Sequence, residues 1–322
     1  RNCSYICSER EWYLRFLKND RFKSIYIKKL KEISSQKIVK EFYKKNFEAI
    51  NFYNEQLLSE RSKKDRVLYK GIGLYIFNKK NLLSKHGIKK LNNSYILEND
   101  LIVNENLYLA PDKILNIQQG TSIFFNKDVT IYSEGSIYFN GTKEQPIVVY
   151  SKDNVGSLVL SNNKYKFKNV IFKKLSFPKD NDKILYGGVN IINSNIEIID
   201  TEIISSKSED AINIISSNSN IKNLIVKNIY ADAIDIDFGT VKFEAIFCEN
   251  VDNDCLDVSG ANVSGSFLVG SNVKDKGLSF GENSRGEILN LNFRNAKLGV
   301  AVKDGSKLKL TQYQFENNEY DI

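Results

Sequence analysis

The stretch that decides the fold is Asp232-Ala233-Ile234-Asp235-Ile236-Asp237, whose pattern returns 22 residues later as Asp254-Cys255-Leu256-Asp257-Val258-Ser259. Lines opening at Ala211, Ala233, Cys255, Gly277 and Gly299 all keep this spacing. Each opens with a small residue and then an aliphatic one: Ala211-Ile212, Ala233-Ile234, Cys255-Leu256, Gly277-Leu278, Gly299-Val300. Two residues later stands a further apolar side chain: Ile214, Ile236, Val258, Phe280, Val302. A line from Gly188 fits with one extra residue, which a turn absorbs. Self-similarity at this period is the mark of a solenoid. One coil cannot bury its own apolar side chains, but coils stacked ~4.8 Å apart share a continuous core. Ser217-Asn218, Gly239-Thr240, Gly260-Ala261, Asn283-Ser284 and Gly305-Ser306 suit the tight corners between sheets. The short period and the Asn, Ser and β-branched content exclude helical solenoids.

Upstream, the period of two continues through Leu107-Tyr108-Leu109, Ile114–Ile117, Ser122–Phe125 and Val129–Tyr132, separated by turn residues. Gly120-Thr121, Gly135–Thr142 and Gln145-Pro146-Ile147 resemble the opening coils of extracellular β-helices. Residues 9–60 change to apolar spacings of three and four (Trp12, Phe16, Leu17; Ile25, Leu30, Ile33; Val39, Phe42, Tyr43, Phe47, Ile50), with a break at Ser34-Ser35-Gln36. The chain therefore reads as mainly β: a helical segment over 1–60, a basic connector over 61–94 with a short strand at Leu74–Phe77, and a right-handed parallel β-helix over 95–322.

Between Arg61 and Asn92 stand ten basic residues against one acid, Asp65, a local excess above the +7 of the whole chain. Such a segment predicts contact with a polyanion, or a solvated linker. No apolar run is long enough for a transmembrane helix. Arg1 at the start and the lack of methionine suggest a piece of a larger protein. Four cysteines are too few for a disulfide framework, so free thiols are expected at Cys3, Cys7, Cys248 and Cys255. His86 is the one histidine, which leaves Ser-His or Cys-His catalysis a single, Lys-flanked candidate and gives no zinc-type spacing. No Gly-rich phosphate loop occurs.

If Ile234 and Ile236 point inward, alternation turns Asp235 and Asp237 outward. The same register sets Asp257 above Asp235, with Asn213 below and Ser279 above. Just before the lines stand Asp210, Asp232, Asp254 and Lys276, and Lys303 and Asp304 close the upper edge. Carboxylates stacked at coil spacing raise one another's pKa, so the column asks for an explanation. Three fit. Asp235, Asp237 and Asp257 offer hard oxygen ligands for Ca²⁺. Asp232, Asp254 and Asp257 offer a glycosidase-like acid and base, with Asp235, Lys276 and Lys303 on substrate. Alternatively the acids bond corner backbone amides as Asx turns.

Tyr230-Ala231-Asp232, Asn253-Asp254, Lys276-Gly277 and Ala301-Val302-Lys303 fall where polygalacturonase-type pectin-degrading glycosidases carry Asn-Thr-Asp, Asp-Asp, His-Gly and Arg-Ile-Lys. This resemblance covers roughly 75 residues. It implies acid/base roles for Asp232 and Asp254 and a substrate-carboxylate contact for Lys303. The chain departs from the pattern at Asn253, Lys276 and Ala301. A second resemblance is to bacterial proteins related to the spore-coat kinase-like family CotH. It rests on Trp12–Leu58, including Phe22–Leu30, and on Asp232–Asp235, Asp275–Ser279 and Val302–Ser306. It implies a helical segment leading into a β-helix, with any kinase-like part before Arg1.

The expectation is a secreted or cell-envelope β-helix that binds an acidic or neutral polysaccharide along its outer Asp-lined face, helped by 17 Tyr and 19 Phe for stacking on sugars. The alternatives are a polysaccharide hydrolase, lyase or epimerase using the same acids, and a non-catalytic subunit of a homo-oligomer or envelope complex.

Overall fold

The structure, a computed structural model, describes residues 88–91, 94–179 and 185–322, with Ile25 alone before them. The expected helices of 1–60, most of the connector and the strand at Leu74–Phe77 lie outside the described residues. Every described strand belongs to the compact unit Lys79–Ile322.

The repeat becomes a parallel β-solenoid of about 10 turns, each about 22 residues long. It opens on an antiparallel hairpin, Lys89–Leu91 against Ser94–Leu97, across the boundary expected between connector and β-helix. From there the strands pair in parallel, each with the strand one coil further on. Period-two alternation sends one set of side chains inward on each of three faces. On the first face Leu158, Val189, Ile212, Ile234 and Leu256 stack in register. On the second, Phe139, Phe167, Ile198, Ile221 and Phe243 do the same. On the third, Phe172, Ile203, Val226, Cys248, Gly270 and Phe293 form the column. These inner residues are buried in one continuous core. Phe139, Phe167 and Phe172 meet edge to face, with centroids 5.0 to 6.1 Å apart, and wedge the middle coils.

The register shows how irregular lengths are absorbed. Val189 pairs with Ile212 one residue later than the regular step, as expected for the line from Gly188. The coils joining Ile131 to Leu158 and Leu158 to Val189 are longer. A corner residue added before Arg285 is returned by a bulge between Val273 and Lys276.

Corners require residues that accept positive φ. Ser216, Phe238, Gly260, Asn283 and Asp304 turn the chain after the first face, at φ of 48°, 58°, 65°, 61° and 54°. A second corner holds Asn228, Asn250, Asn272, Asn295 and Asn317, at 56°, 56°, 55°, 52° and 54°. Asn250, Asn272 and Asn295 each donate Nδ2 to the Oδ1 of the asparagine one coil below, at 2.9, 2.9 and 3.0 Å. The amide ladder satisfies polar groups that the turn exposes and fixes the coil spacing.

One sequence expectation is corrected here. Cys248 and Cys255 are not free thiols: they form a disulfide, with Cα atoms 5.8 Å apart. Cys248 points inward from the third face and Cys255 opens the next coil. The narrow interior brings them together although they lie on different sheets, and both are buried. The bridge closes a short loop carrying Asn253 and Asp254. A loop of that length is worth about 2–3 kcal/mol by loss of unfolded-state freedom. The double variant Cys248→Ala/Cys255→Ala is therefore expected to melt roughly 5–10 °C lower in scanning calorimetry. A change under about 2 °C would show that the bridge constrains nothing.

Candidate functional site

The acids gather on the outer side of the first face. Ile234 and Ile236 are fully buried, while Asp235 and Asp237 between and after them remain partly open. Asn213 pairs with Asp235 and Asp235 with Asp257, so these three lie on successive rungs of one outward column. Ser279 continues that column toward Ala301. Ile215, Asp237 and Ser259 form the neighbouring column. Asp210 pairs with Asp232, and these begin a corner column completed by Asp254 and Lys276.

Along the corner, Asp232 and Asp254 each cap the coil above. Asp232 Oδ1 accepts the backbone N–H of Asp254 at 2.8 Å and Asn253 Nδ2 at 2.7 Å. Asp254 Oδ1 accepts the backbone N–H of Lys276 at 2.9 Å. Asp232 and Asp254 thus bond corner backbone amides of the coil above, 22 residues on, rather than closing Asx turns on their own coil. The column ends in a cation: the Lys276 ammonium donates to both Asp254 oxygens, each at 3.3 Å, and to Asp275. Lys297 reaches Asp275 from the next coil at 3.3 Å.

Among the described residues, no cation pairs with the strand column in this way. Asn213 Nδ2 donates to Asp210 Oδ2 and to Asp235 Oδ2, both at 2.8 Å, bridging the two columns. Three polar atoms here are buried without a hydrogen-bond partner: Asn213 Oδ1, Asp257 Oδ1 and Ser279 Oγ.

Burial and mutual repulsion disfavour the ionised forms. Asp235 is pushed up to about 9, mainly by burial and then by the charges of Asp210, Asp237, Asp257 and Asp232. Asp210 rises to about 7 through burial, opposed by the Asn213 amide and reinforced by Asp232, Glu209 and Asp237. Asp232 rises to about 6, again mainly by burial, against the Asp254 N–H and Asn253 that favour its charge. Burial also raises Asp237, helped by Asp257 and Glu282. Burial raises Asp254 despite the opposing Lys276. Burial alone would lower the Lys276 ammonium, but Asp275 and Asp254 hold it above its usual value.

Of the sequence-predicted residues, Asp232, Asp235, Asp237, Asp254, Asp257 and Lys276 come together. Lys303 does not join them. It is exposed at the corner after Val302, donates its backbone N–H to Phe280 O at 2.9 Å, and runs its stem over Gly281. That position is two coils above Ser259, ~10 Å from the acids at coil spacing. Among the described residues, no group of three or more His, Cys, Asp or Glu side chains is placed to hold a metal ion. The Ca²⁺ expectation for Asp235, Asp237 and Asp257 therefore gains no support from their geometry. Sequence reasoning gave no role to Asp275, which clamps Lys276, or to Glu282, which faces Asp237. It treated Asn253 only as a departure from a motif, although its amide holds Asp232.

Two exposed rings flank the acidic strand, Tyr230 before Asp232 and Phe238 after Asp237, at 65% and 52% exposure. Phe238 turns the corner itself and rests against Gly260, where a Cβ would stand 2.6 Å from the ring. Two surface grooves lie off the acids. One of about 620 Å³ runs along the second face past Tyr138, Lys166, Glu197 and Lys242, and one of about 780 Å³ follows the asparagine corner.

No protein-family model, no curated protein and no solved structure matches the chain. Neither the polygalacturonase-type nor the CotH-related resemblance is supported beyond the parallel β-solenoid itself.

Proposed function

We propose that the chain binds a polysaccharide along the outer side of its first face, outside the cell or in its envelope. The observation that carries this reading is the set of outward carboxyl groups on adjacent rungs, flanked in the chain by Tyr230 and Phe238. Stacked rungs repeat at a spacing that lets an extended chain meet equivalent groups in succession. Carboxyl and amide groups hydrogen-bond sugar hydroxyls, and exposed aromatic rings stack on sugar faces. A scaffold of solenoid coils holds such groups rigidly. The Cys248–Cys255 disulfide supports an oxidising compartment.

Binding is favoured over hydrolysis by the state of Asp254. A general base needs a free oxygen facing a water. Both Asp254 oxygens are held by the Lys276 ammonium, and the residue is 3% exposed. A glycan panel read by pull-down and by reducing-end release separates the readings. The expected result is retention of at least one polysaccharide without turnover, weakened about tenfold or more in Asp232→Ala and Tyr230→Ala. Release of reducing ends that disappears in Asp232→Ala would establish hydrolysis instead. A stable oligomer that retains no glycan would leave an assembly subunit.

A further inference from the structure

The corner column and the strand column differ in one respect that identifies a ligand. Both rise through aspartates: Asp210, Asp232 and Asp254 at the corner, Asp235 and Asp257 on the strand. The corner column ends in the chain's own ammonium, Lys276, seated 3.3 Å from both oxygens of Asp254. At the equivalent level the strand column carries Ser279, and no lysine or arginine among the described residues forms a salt bridge with Asp235 or Asp257. Among the described residues, three of the four buried side-chain atoms left without partners lie on this column, the fourth being Ser219 Oγ on the second face. Asn213, 3% exposed, has spent its amide hydrogens on Asp210 and Asp235 and keeps Oδ1 unpaired. Asp257 Oδ1 is unpaired on the rung above Asp235, and the fully buried Ser279 keeps Oγ unpaired above that. Asp235 and Asp257 remain partly open to solvent.

Buried polar atoms without partners cost about 1–3 kcal/mol each, so a native fold that retains three in one column has a missing partner. Asn213 Oδ1 and Asp257 Oδ1 are both acceptors, so the partner must be a donor. Adjacent carboxyls make a cationic donor better than a neutral one. A metal ion fits poorly, because no described group of three ligating side chains converges. An ammonium fits better: it carries three donors, reaches from Asp257 Oδ1 to Ser279 Oγ on adjacent rungs ~4.8 Å apart, and repeats what Lys276 does one column away.

We propose that the strand column Asn213–Asp235–Asp257–Ser279 is a subsite for a primary ammonium group of the ligand. The polysaccharide would then carry free amino groups, as a deacetylated hexosamine does; this deepens the polysaccharide reading and rests on it.

The test is titration calorimetry of the full chain with a glucosamine oligomer and with its fully N-acetylated counterpart of equal length, with CaCl₂ alone as a third ligand. The amine oligomer is expected to bind at least about tenfold more tightly, and Asp257→Asn to remove that advantage while leaving the melting temperature unchanged or higher. Lys309→Gln, on the distant second face, should leave binding unchanged. Equal binding of both oligomers would overturn the ammonium subsite and leave the polysaccharide reading standing. Tight Ca²⁺ binding lost in Asp257→Asn would overturn it in favour of a metal. Binding of neither oligomer, with some other glycan retained on the panel, would overturn the subsite alone; a blank panel would overturn both.

Discussion

Thermal stability is expected to fall by at least about 5 °C between pH 5 and pH 8, against the habit of proteins stabilised by paired carboxylates. Asp235, Asp210 and Asp232 are raised in the fold to about 9, 7 and 6, from an ordinary value of 3.8. Between those limits the folded state holds protons that the unfolded chain has released. Stability therefore decreases with pH across this window. The contribution is intact below about pH 4 and is lost progressively as pH rises through 6, 7 and 9. Asp275 works the other way. Burial would raise it, but hydrogen bonds and charge from Lys276 and Lys297 outweigh that and hold it low. Its stabilisation is present above pH 4 and fades only in acid. The combined profile is a maximum near pH 4–5 with a long alkaline decline. Taking only about 2 kcal/mol from the three raised acids already gives about 4–8 °C. Asp235→Asn should remove about half of the slope. The amide keeps an oxygen for Asn213 Nδ2 and offers its own hydrogens to Asp237 or Asp257. A gain of about 3–6 °C at pH 8 with little change at pH 5 is expected by calorimetry. A flat or rising profile, or a loss in Asp235→Asn at pH 8, would show that the column is not electrostatically strained. If the ligand needs these acids, the same substitution that stabilises the free protein weakens binding, as expected where a site is kept at the expense of the fold.

The legible part of this molecule was the part dictated by stacking. Ile234, Leu256 and Leu278 announce the inner column because each coil must present an apolar residue at the same place. Once they are inward, Asp235 and Asp257 must share the outer face, as they do. The corners were legible only at the first turn. The asparagines at 228, 250, 272, 295 and 317 carry the same period, yet asparagine is so frequent in this chain that the ladder was not separated from background. Features that depend on contacts across the interior left no signal in the linear text. Cys248 and Cys255 look unrelated until the third face and the next coil's first face are seen to approach. Lys303 was legible as the upper edge of the acidic face, and the coil count places it there, two coils above Ser259. The stacking of Lys276 above Asp254 was legible in the 22-residue step, whereas the hold of Asp275 on the same ammonium was not.

The small residue that opens each line has a packing cause, and it leads to the second large effect. Phe293 is fully buried, and its ring presses on two glycines. A Cβ on Gly270 would stand 2.5 Å from Phe293 Cε1, and one on Gly277 would stand 2.5 Å from Phe293 Cγ. One coil higher, Phe315 presses on Gly299 in the same way, at 2.6 Å. One coil lower, the equivalent space between Cys248 and Cys255 is filled by their disulfide. The same gap is thus closed by a sulfur bridge in one coil and by a ring over glycines in the next two. Phe293→Ala leaves that gap empty and is expected to cost about 3–5 kcal/mol. Gly277→Ala overfills it and costs about 1–3 kcal/mol, because the backbone oxygen of Gly299, 2.6 Å from the new Cβ, has little room to retreat. Combining Gly277→Ala with Phe293→Leu should recover part of the loss, since the smaller side chain makes room for the methyl while the contact with Gly299 persists. Chemical denaturation of Gly277→Ala, Phe293→Leu and the double gives the interaction energy directly, expected at about 1 kcal/mol in the favourable direction. Strict additivity would mean that ring and glycine do not share the space, and the explanation of the opening residue would have to be sought in the backbone alone.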